Sequence, residues 1–487
     1  MLSFAHLLLL CIVLNFQFFS AEVQADIVSI ETFQNQTLNW THCFAEMECA
    51  TLNVPADYDH PRDEIWSLAI ARYPWKSDGV RLGILFVNPG GPGIPGIPDL
   101  AGYPRFWDTL RKNYDIITFD PRGTGSSFPT VDCLSDDEKY AIRNQVSSPE
   151  SEAQIKLARI LGRLQADSCF KKYGKNLALF STKNVARDID ILRSAMGEPQ
   201  ISYLGFSYGT YLGINYAELF PGRTHRIVLD SVMNPAINYQ RIRHDQAIGF
   251  QKSIERFISD CPRHEDCPLP PGKVSGLQAL GNLVARMDKS PYKSEDGREL
   301  SGSRTLGLIE SSMYMPEEGW PLLRNILKSA FAGNYKPMLE KAFSPALMVN
   351  PADSPYLAVM CHDLQTTRDP EAPKTLAKQW RHQAPLTGAA RAWSLQPCEY
   401  WPVKSQQRPH LVSLMGAGPI MIVAGQNDPA TPLKWARALG RQVKNAVSLE
   451  WRGEGHIVYG RGGSCADLAI ESFLTSSAPL TQSIKCP

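Results

Sequence analysis

Net charge is nearly absent from this 487-residue chain: 50 Lys and Arg stand against 49 Asp and Glu, a formal +1. Without a basic excess there is no electrostatic footprint for nucleic acid or an anionic membrane, and neither is expected as a partner. No Cys-x-x-Cys occurs and the ten His residues are scattered. That excludes a legible zinc-type ligand set, and neither a metal nor an organic cofactor is implied. The apolar run over residues 7–19 is too short for a membrane span, and the six residues before it carry no Lys or Arg. It is followed by small-residue sites, Phe19-Ser20-Ala21 and Val23-Gln24-Ala25, that resemble signal-peptidase cleavage points. Residues 1–25 are therefore expected to be a signal peptide, with an uncleaved anchor as the alternative. The mature chain is expected to be secreted or periplasmic, without stable membrane association.

What the sequence does have fits export. Setting Cys11 aside leaves ten cysteines, an even number that reads as a disulfide set. Pairing neighbours along the chain gives Cys43–Cys49, Cys133–Cys169, Cys261–Cys267, Cys361–Cys398 and Cys465–Cys486, although sequence alone does not fix connectivity. A hydrophobic content of 43% against 20% charged residues allows a large buried core. At this length the chain is one large domain with an insertion, or two domains.

The most informative stretch is Gly205-Phe206-Ser207-Tyr208-Gly209, a G-x-S-x-G. A short apolar strand pattern precedes it and a helical pattern follows. That context holds a serine on a tight strand-to-helix turn, with its hydroxyl lifted clear of the sheet. Gly205 and Gly209 supply space where side chains would collide with the neighbouring strand and helix.

Upstream, an apolar run at residues 82–88 breaks into Asn88-Pro-Gly-Gly-Pro-Gly-Ile-Pro-Gly96, too rich in Gly and Pro for regular structure. Such a loop after a buried strand can turn backbone N–H groups toward a ligand. Residues 114–120 give another buried strand, ending in Pro121-Arg122-Gly123-Thr-Gly125. Arg122 is expected to satisfy buried carbonyls rather than to take part in chemistry. Residues 50–55 and 64–73 read as an antiparallel hairpin at a sheet edge. Further strands are expected at 226–232, 419–424 and 447–451. From about 237 to 406 the periodicity is helical, as in an insertion above the sheet.

Three polar residues follow predicted strands and lie in loops: Ser207, Asp428 and His456. In an open parallel sheet all strand C-termini share one edge, so the three converge despite their separation in sequence. Ser…Asp…His is the chain order of an α/β-hydrolase. The roles that follow are Ser207 as nucleophile, His456 as general base and acid, and Asp428 as the group that orients the imidazole. The oxyanion donors are expected to be the N–H groups of Tyr208 and, from the glycine-rich loop, Gly91. The fold class is α/β: a mostly parallel central sheet with helices on both faces and an inserted helical cap. Its expected parts are a core over 26–236, a cap over 237–406 and the rest of the core over 407–487.

Taken together, Asn88-Pro-Gly-Gly-Pro-Gly, Phe119-Asp-Pro-Arg-Gly-Thr-Gly-Ser, Gly205-Phe-Ser-Tyr-Gly-Thr-Tyr-Leu-Gly and Gly425-Gln-Asn-Asp-Pro-Ala-Thr-Pro resemble the secreted tripeptidyl aminopeptidases. These are relatives of the prolyl aminopeptidases among the α/β-hydrolases. The stretch from Cys49 to Tyr58 and the tail from Cys465 to Cys486 match as well, so the resemblance spans nearly the whole mature chain. It implies a serine exopeptidase that takes a peptide substrate and releases short N-terminal peptides. An exported carboxylesterase or lipase using the same triad is the alternative. The chain departs from the prolyl aminopeptidases at Asn88, where they usually carry His, and at Phe206, where the elbow usually has a small residue. An aminopeptidase must hold a free α-ammonium, and a partly desolvated cation needs a negative partner. Glu317, Glu318 and Asp363 in the cap are the candidates.

Overall fold

The protein is described here by a computed structural model that covers residues 29–76, 78–344, 354–403, 407–444, 446–478 and 480–487. The expected signal segment and the expected end of the cap, residues 404–406, lie outside the described residues. In chain order the strands are β1 (Thr41–His42), β2 (Glu48–Pro55), β3 (Ile65–Tyr73), β4 (Ile84–Asn88), β5 (Asp115–Phe119), β6 (Ile201–Phe206), β7 (Thr224–Asp230), β8 (Tyr292–Lys293), β9 (Glu299–Leu300), β10 (Ile420–Asn427), β11 (Val447–Glu454) and β12 (Ile484–Cys486). Ten of them form one sheet in the order β1-β2-β3-β5-β4-β6-β7-β10-β11-β12. From β5 to β12 every neighbouring pair is parallel. The β1–β2, β2–β3 and β3–β5 pairs are antiparallel, as expected of a hairpin at the edge.

Alternation along the strands explains the layering. Phe86, Ile117, Tyr203, Leu229 and Ile422 join one hydrophobic cluster, while their neighbours Leu85, Ile116, Leu204, Val228 and Met421 join another. Successive side chains leave a strand on opposite faces, so both faces of the sheet are covered. Helices Thr182–Ala195, Tyr208–Leu219 and Leu433–Gly440 cover the first face, and Gly463–Thr475 covers the second. This is an α/β-hydrolase fold. Arg122, just past β5, is fully buried: its guanidinium clasps both oxygens of Asp188 at 2.6 and 2.8 Å and donates to the Ala56 and Leu179 carbonyls. That is the structural role the sequence assigned to it.

Between β7 and β10 the regular elements among the described residues are helices, apart from the two-residue pairing of β8 with β9. This cap region has two halves. Helices Tyr239–Asp260, Lys273–Lys289, Gly302–Ser311, Pro316–Phe331 and Lys336–Ala342 share a cluster of their own, built on residues such as Phe257, Leu280, Ile309 and Leu323. Helices Ser354–Asp363, Ala372–Arg381, Gly388–Trp393 and Gln396–Glu399 instead join the cluster on the first face of the sheet, through Leu357, Trp380, Trp393 and Cys398. All five expected disulfides are present: Cys43–Cys49, Cys133–Cys169, Cys261–Cys267, Cys361–Cys398 and Cys465–Cys486. Among the described residues no helix is long and apolar enough to cross a membrane.

Candidate active site

The site lies at the C-terminal edge of the parallel strands. Ser207 follows β6 with φ 56° and ψ −122°, a left-handed conformation that a non-glycine residue adopts only when its surroundings force it. The forcing is visible at both flanking glycines. A Cβ on Gly209 would lie 2.6 Å from the Asn88 carbonyl oxygen, and one on Gly205 would lie 2.5 Å from the Gly209 oxygen. The Ser207 N–H donates to the Asp230 carbonyl at 2.9 Å, and the Thr210 hydroxyl returns to the Ser207 carbonyl at 2.6 Å. The serine is thereby pinned on its own backbone while its side chain stays partly exposed.

The glycine-rich loop packs directly on this turn. The Asn88 side-chain oxygen accepts the Gly90 N–H at 3.1 Å and closes the loop's first turn. A Cβ on Gly90 would stand 3.1 Å from Ser207 Cβ and 3.2 Å from the Tyr208 nitrogen. Gly91 comes next, and its N–H makes no hydrogen bond among the described residues. Tyr208 is the first residue of helix Tyr208–Leu219, so its N–H has no acceptor within the helix.

Asp428 follows β10 and His456 follows β11, and both are at most 4% exposed. His456 Nδ1 lies 2.8 and 3.0 Å from the two Asp428 oxygens. The carboxylate also accepts the N–H groups of Ala430 and Thr431 and the Thr431 hydroxyl. Burial opposes its ionisation, but the neighbouring His456 and the Thr431 donors outweigh burial and hold its pKa below the usual carboxylate range. With Nδ1 turned to Asp428, the imidazole has Nε2 left for other work. No hydrogen bond joins it to Ser207 among the described residues.

What brings the serine and histidine loops together is Asp230, which ends β7. Besides accepting the Ser207 N–H on its carbonyl, it takes the Val458 and Tyr459 N–H groups on its carboxylate at 3.1 and 2.8 Å. Ser231 Oγ accepts the Ile457 N–H at 3.0 Å. The cap closes the other side. The Tyr314 carbonyl accepts the His456 N–H at 2.8 Å, and the Tyr314 ring meets the imidazole edge-on at 5.4 Å. A Cβ on Gly93 would touch the Tyr356 nitrogen at 2.9 Å, so the glycine-rich loop also abuts helix Ser354–Asp363.

The three carboxylates expected to meet a substrate ammonium do not gather. Both oxygens of Glu317 are held by Arg461 at 2.8 Å. Glu318 is exposed on the same helix. Asp363 is buried, accepts the Thr182 N–H at 2.7 Å and also its hydroxyl, and is raised to about 7 by burial. Its place behind Tyr208 is within the packing, bridged by the Thr182 hydroxyl at 2.5 Å from the Tyr208 hydroxyl. The sequence reading missed Asp230, Tyr314, Arg461 and the cap pair Glu310–Arg391, whose groups meet at 2.6 Å. Asp230 alone carried a signal, being a carboxylate inside the strand expected at 226–232.

The TAP-like protein family matches residues 384–486, which contain Asp428 and His456. Over most of its length the chain is similar to three kinds of relative. Serine protease Hip1 of Mycobacterium tuberculosis is 30% identical, covering 93% of this chain and 91% of that protein. Carboxylesterase B of the same species is 33% identical, with 90% and 86% covered. The tripeptidyl aminopeptidase of Streptomyces coelicolor is 28% identical, with 92% and 86% covered. The chain therefore belongs to the TAP-like α/β-hydrolases and is a serine hydrolase.

Proposed function

We propose that Ser207, His456 and Asp428 form the triad of an exported hydrolase that acts through an acyl-enzyme. Ser207 Oγ attacks the substrate carbonyl while His456 Nε2 takes its proton and then delivers it to the leaving group. Asp428 fixes the tautomer and steadies the imidazolium. The Tyr208 and Gly91 N–H groups receive the oxyanion, and each such donor is worth roughly a hundred- to a thousandfold in rate. Water repeats the sequence to release the acid. The cap over residues 237–406 covers the bound acyl group, and the two core segments carry the chemistry. The single observation that carries this reading is the buried His456–Asp428 pair at 2.8 Å, on the same sheet edge as a serine in a forced backbone conformation.

Ester hydrolysis is the substrate class best supported. The relative at 33% identity is a carboxylesterase, and Glu317, Glu318 and Asp363 are paired, solvated or buried rather than turned together toward a bound ammonium. Release of N-terminal peptides is the second reading, favoured by the protease and aminopeptidase relatives. One assay separates them: a p-nitrophenyl ester beside a tripeptide anilide ending in Pro or Ala, with free and acetylated N-termini. Ester cleavage with neither peptide touched supports an esterase. Cleavage of the free peptide alone supports an aminopeptidase. Ser207→Ala is expected to lose at least about 10⁴-fold in kcat on whichever substrate is used, and full activity in that variant would sink the triad.

A further inference from the structure

Arg461 stands five residues after His456 and is one hub of the histidine loop. One guanidinium nitrogen donates to the carbonyls of His456 at 2.6 Å, Ile457 at 3.1 Å and Tyr314 at 3.3 Å. The other donates to the Glu454 carbonyl at 2.9 Å and to both oxygens of Glu317. Glu454 ends β11 and His456 and Ile457 belong to the loop after it, whereas Tyr314 and Glu317 belong to the cap. The Tyr314 carbonyl is the same one that accepts the His456 N–H. The approach is too close for any side chain between the two parts: a Cβ on Gly455 would lie 2.6 Å from the Tyr314 oxygen and 2.7 Å from the guanidinium.

A planar fork with several donors is suited to hold such a set of acceptors in one geometry, which a lysine cannot do. An arginine that merely satisfied loose carbonyls would not need a carboxylate from another element. Here the carboxylate is the first acidic residue of helix Pro316–Phe331, and its side chain is half exposed. We infer that Arg461 is a positioning residue that makes the angle of the His456 ring depend on the seating of the cap. The inference rests on the reading of His456 as the general base. When the Tyr314–Glu317 segment is seated, the loop is held from both sides, by Asp230 from the sheet and, through Arg461, by Tyr314 and Glu317 from the cap. When the segment lifts, the His456 N–H and the loop carbonyls lose their cap partners together. Substrate that seats the cap thereby also aligns the base.

The test uses the full chain with His456→Ala, Arg461→Ala and Glu317→Gln. It reads kcat and KM on a p-nitrophenyl ester, and the rate at which a fluorophosphonate probe labels Ser207. His456→Ala is expected to abolish both. Arg461→Ala is expected to lower kcat and the labelling rate together by about a hundredfold with KM within about twofold, the mark of misplaced groups rather than lost binding. Added methylguanidinium is expected to restore part of that loss. Glu317→Gln, at a half-exposed side chain, is expected to keep the wild-type Tm and to lose about tenfold in the same two rates. If His456→Ala labels like wild type, the triad reading fails, and this inference with it. If His456→Ala is dead while Arg461→Ala and Glu317→Gln react at wild-type rates, the coupling alone is overturned. Should Arg461→Ala fail to fold, Glu317→Gln decides: wild-type rates there overturn the coupling.

Discussion

The carbonyl of Asp230 accepts the Ser207 N–H at 2.9 Å, while the carboxylate of the same residue accepts the N–H groups that follow His456. One residue at the end of β7 thus ties the loops of the serine and the histidine to the same strand. Burial is the main reason its pKa is raised to about 6, against the pull of its backbone donors. An acid with a raised folded-state pKa holds its proton more tightly than the unfolded chain does. Its contribution to stability is therefore full below the unfolded value of 3.8 and is lost as pH rises to about 6. Across that window the loss is on the order of 3 kcal/mol, at roughly 1.4 kcal/mol per unit. Asp230→Asn removes this slope, so its Tm is expected to gain on wild type between pH 4 and pH 7. Its kcat is expected to fall by about tenfold, because an amide cannot accept as many N–H groups as a carboxylate. A Tm difference that stays constant with pH would show that Asp230 titrates alike in both states.

Arg122 and Asp188 test the opposite kind of role. Both side chains are wholly buried and meet through two hydrogen bonds, with the Tyr58 hydroxyl as a further donor to Asp188. Removing one partner strands a buried charge, so Arg122→Met or Asp188→Asn is expected to cost about 3–5 kcal/mol in denaturant unfolding. The double replacement is expected to recover part of that loss. Turnover per folded molecule should stay unchanged, since neither residue reaches the serine turn. A kcat that fell with stability intact would move Arg122 into the catalytic apparatus.

These two cases mark how far the sequence is legible. Residues 82–88 and 419–424 showed themselves as strands because covering both faces makes them uninterrupted apolar runs. The placement of Ser207, Asp428 and His456 on one edge was legible because each follows an expected strand, and a parallel sheet brings those ends together. The cysteines were paired correctly because each partner is near in sequence. Arg461, by contrast, stands with Arg452 in a glycine-rich stretch, and its acceptors are mostly main-chain carbonyls that no residue pattern records. Glu317 looked free for a substrate because sequence does not show that Arg461 lies against it. The second half of the cap lies within the helical periodicity of the insertion, but its packing on the sheet-side cluster depends on tertiary contacts alone. β1 and β12, at two and three residues, are too short to carry a periodicity.

The disulfides differ in what they restrain. Cys361–Cys398 closes 37 residues and holds helix Ser354–Asp363, which abuts the glycine-rich loop, whereas Cys261–Cys267 closes six. In the chain-entropy view the first is worth about 4 kcal/mol and the second about 2 kcal/mol. Paired Ser replacements at 361/398 are therefore expected to lower the denaturation midpoint roughly twice as far as those at 261/267. Because its helix bears on the loop after Asn88, the 361/398 pair should also reduce kcat, whereas the 261/267 pair should not. Equal losses of stability would mean that strain or residual structure, not loop length, sets the contribution.

Asn88 and Gly209 give the most direct test of the proposed oxyanion site. The Asn88 carbonyl and side-chain oxygens would lie 2.6 and 2.8 Å from a Cβ on Gly209, and the same side chain holds the Gly90 N–H. Gly209→Ala therefore cannot be accommodated without moving the end of β4, and the glycine-rich loop moves with it. Asn88→Ala leaves the strand in place but frees the Gly90 turn. Both changes shift Gly91 relative to Ser207 without touching His456 or Asp428. Each is expected to lower kcat by about a hundredfold, the cost of a misplaced oxyanion donor, while KM changes little. Because both act on one loop, the double variant should lose much less than the product of the two. Fully multiplicative losses would mean that the two residues act on separate steps, and that Asn88 does not serve the Gly91 donor at all.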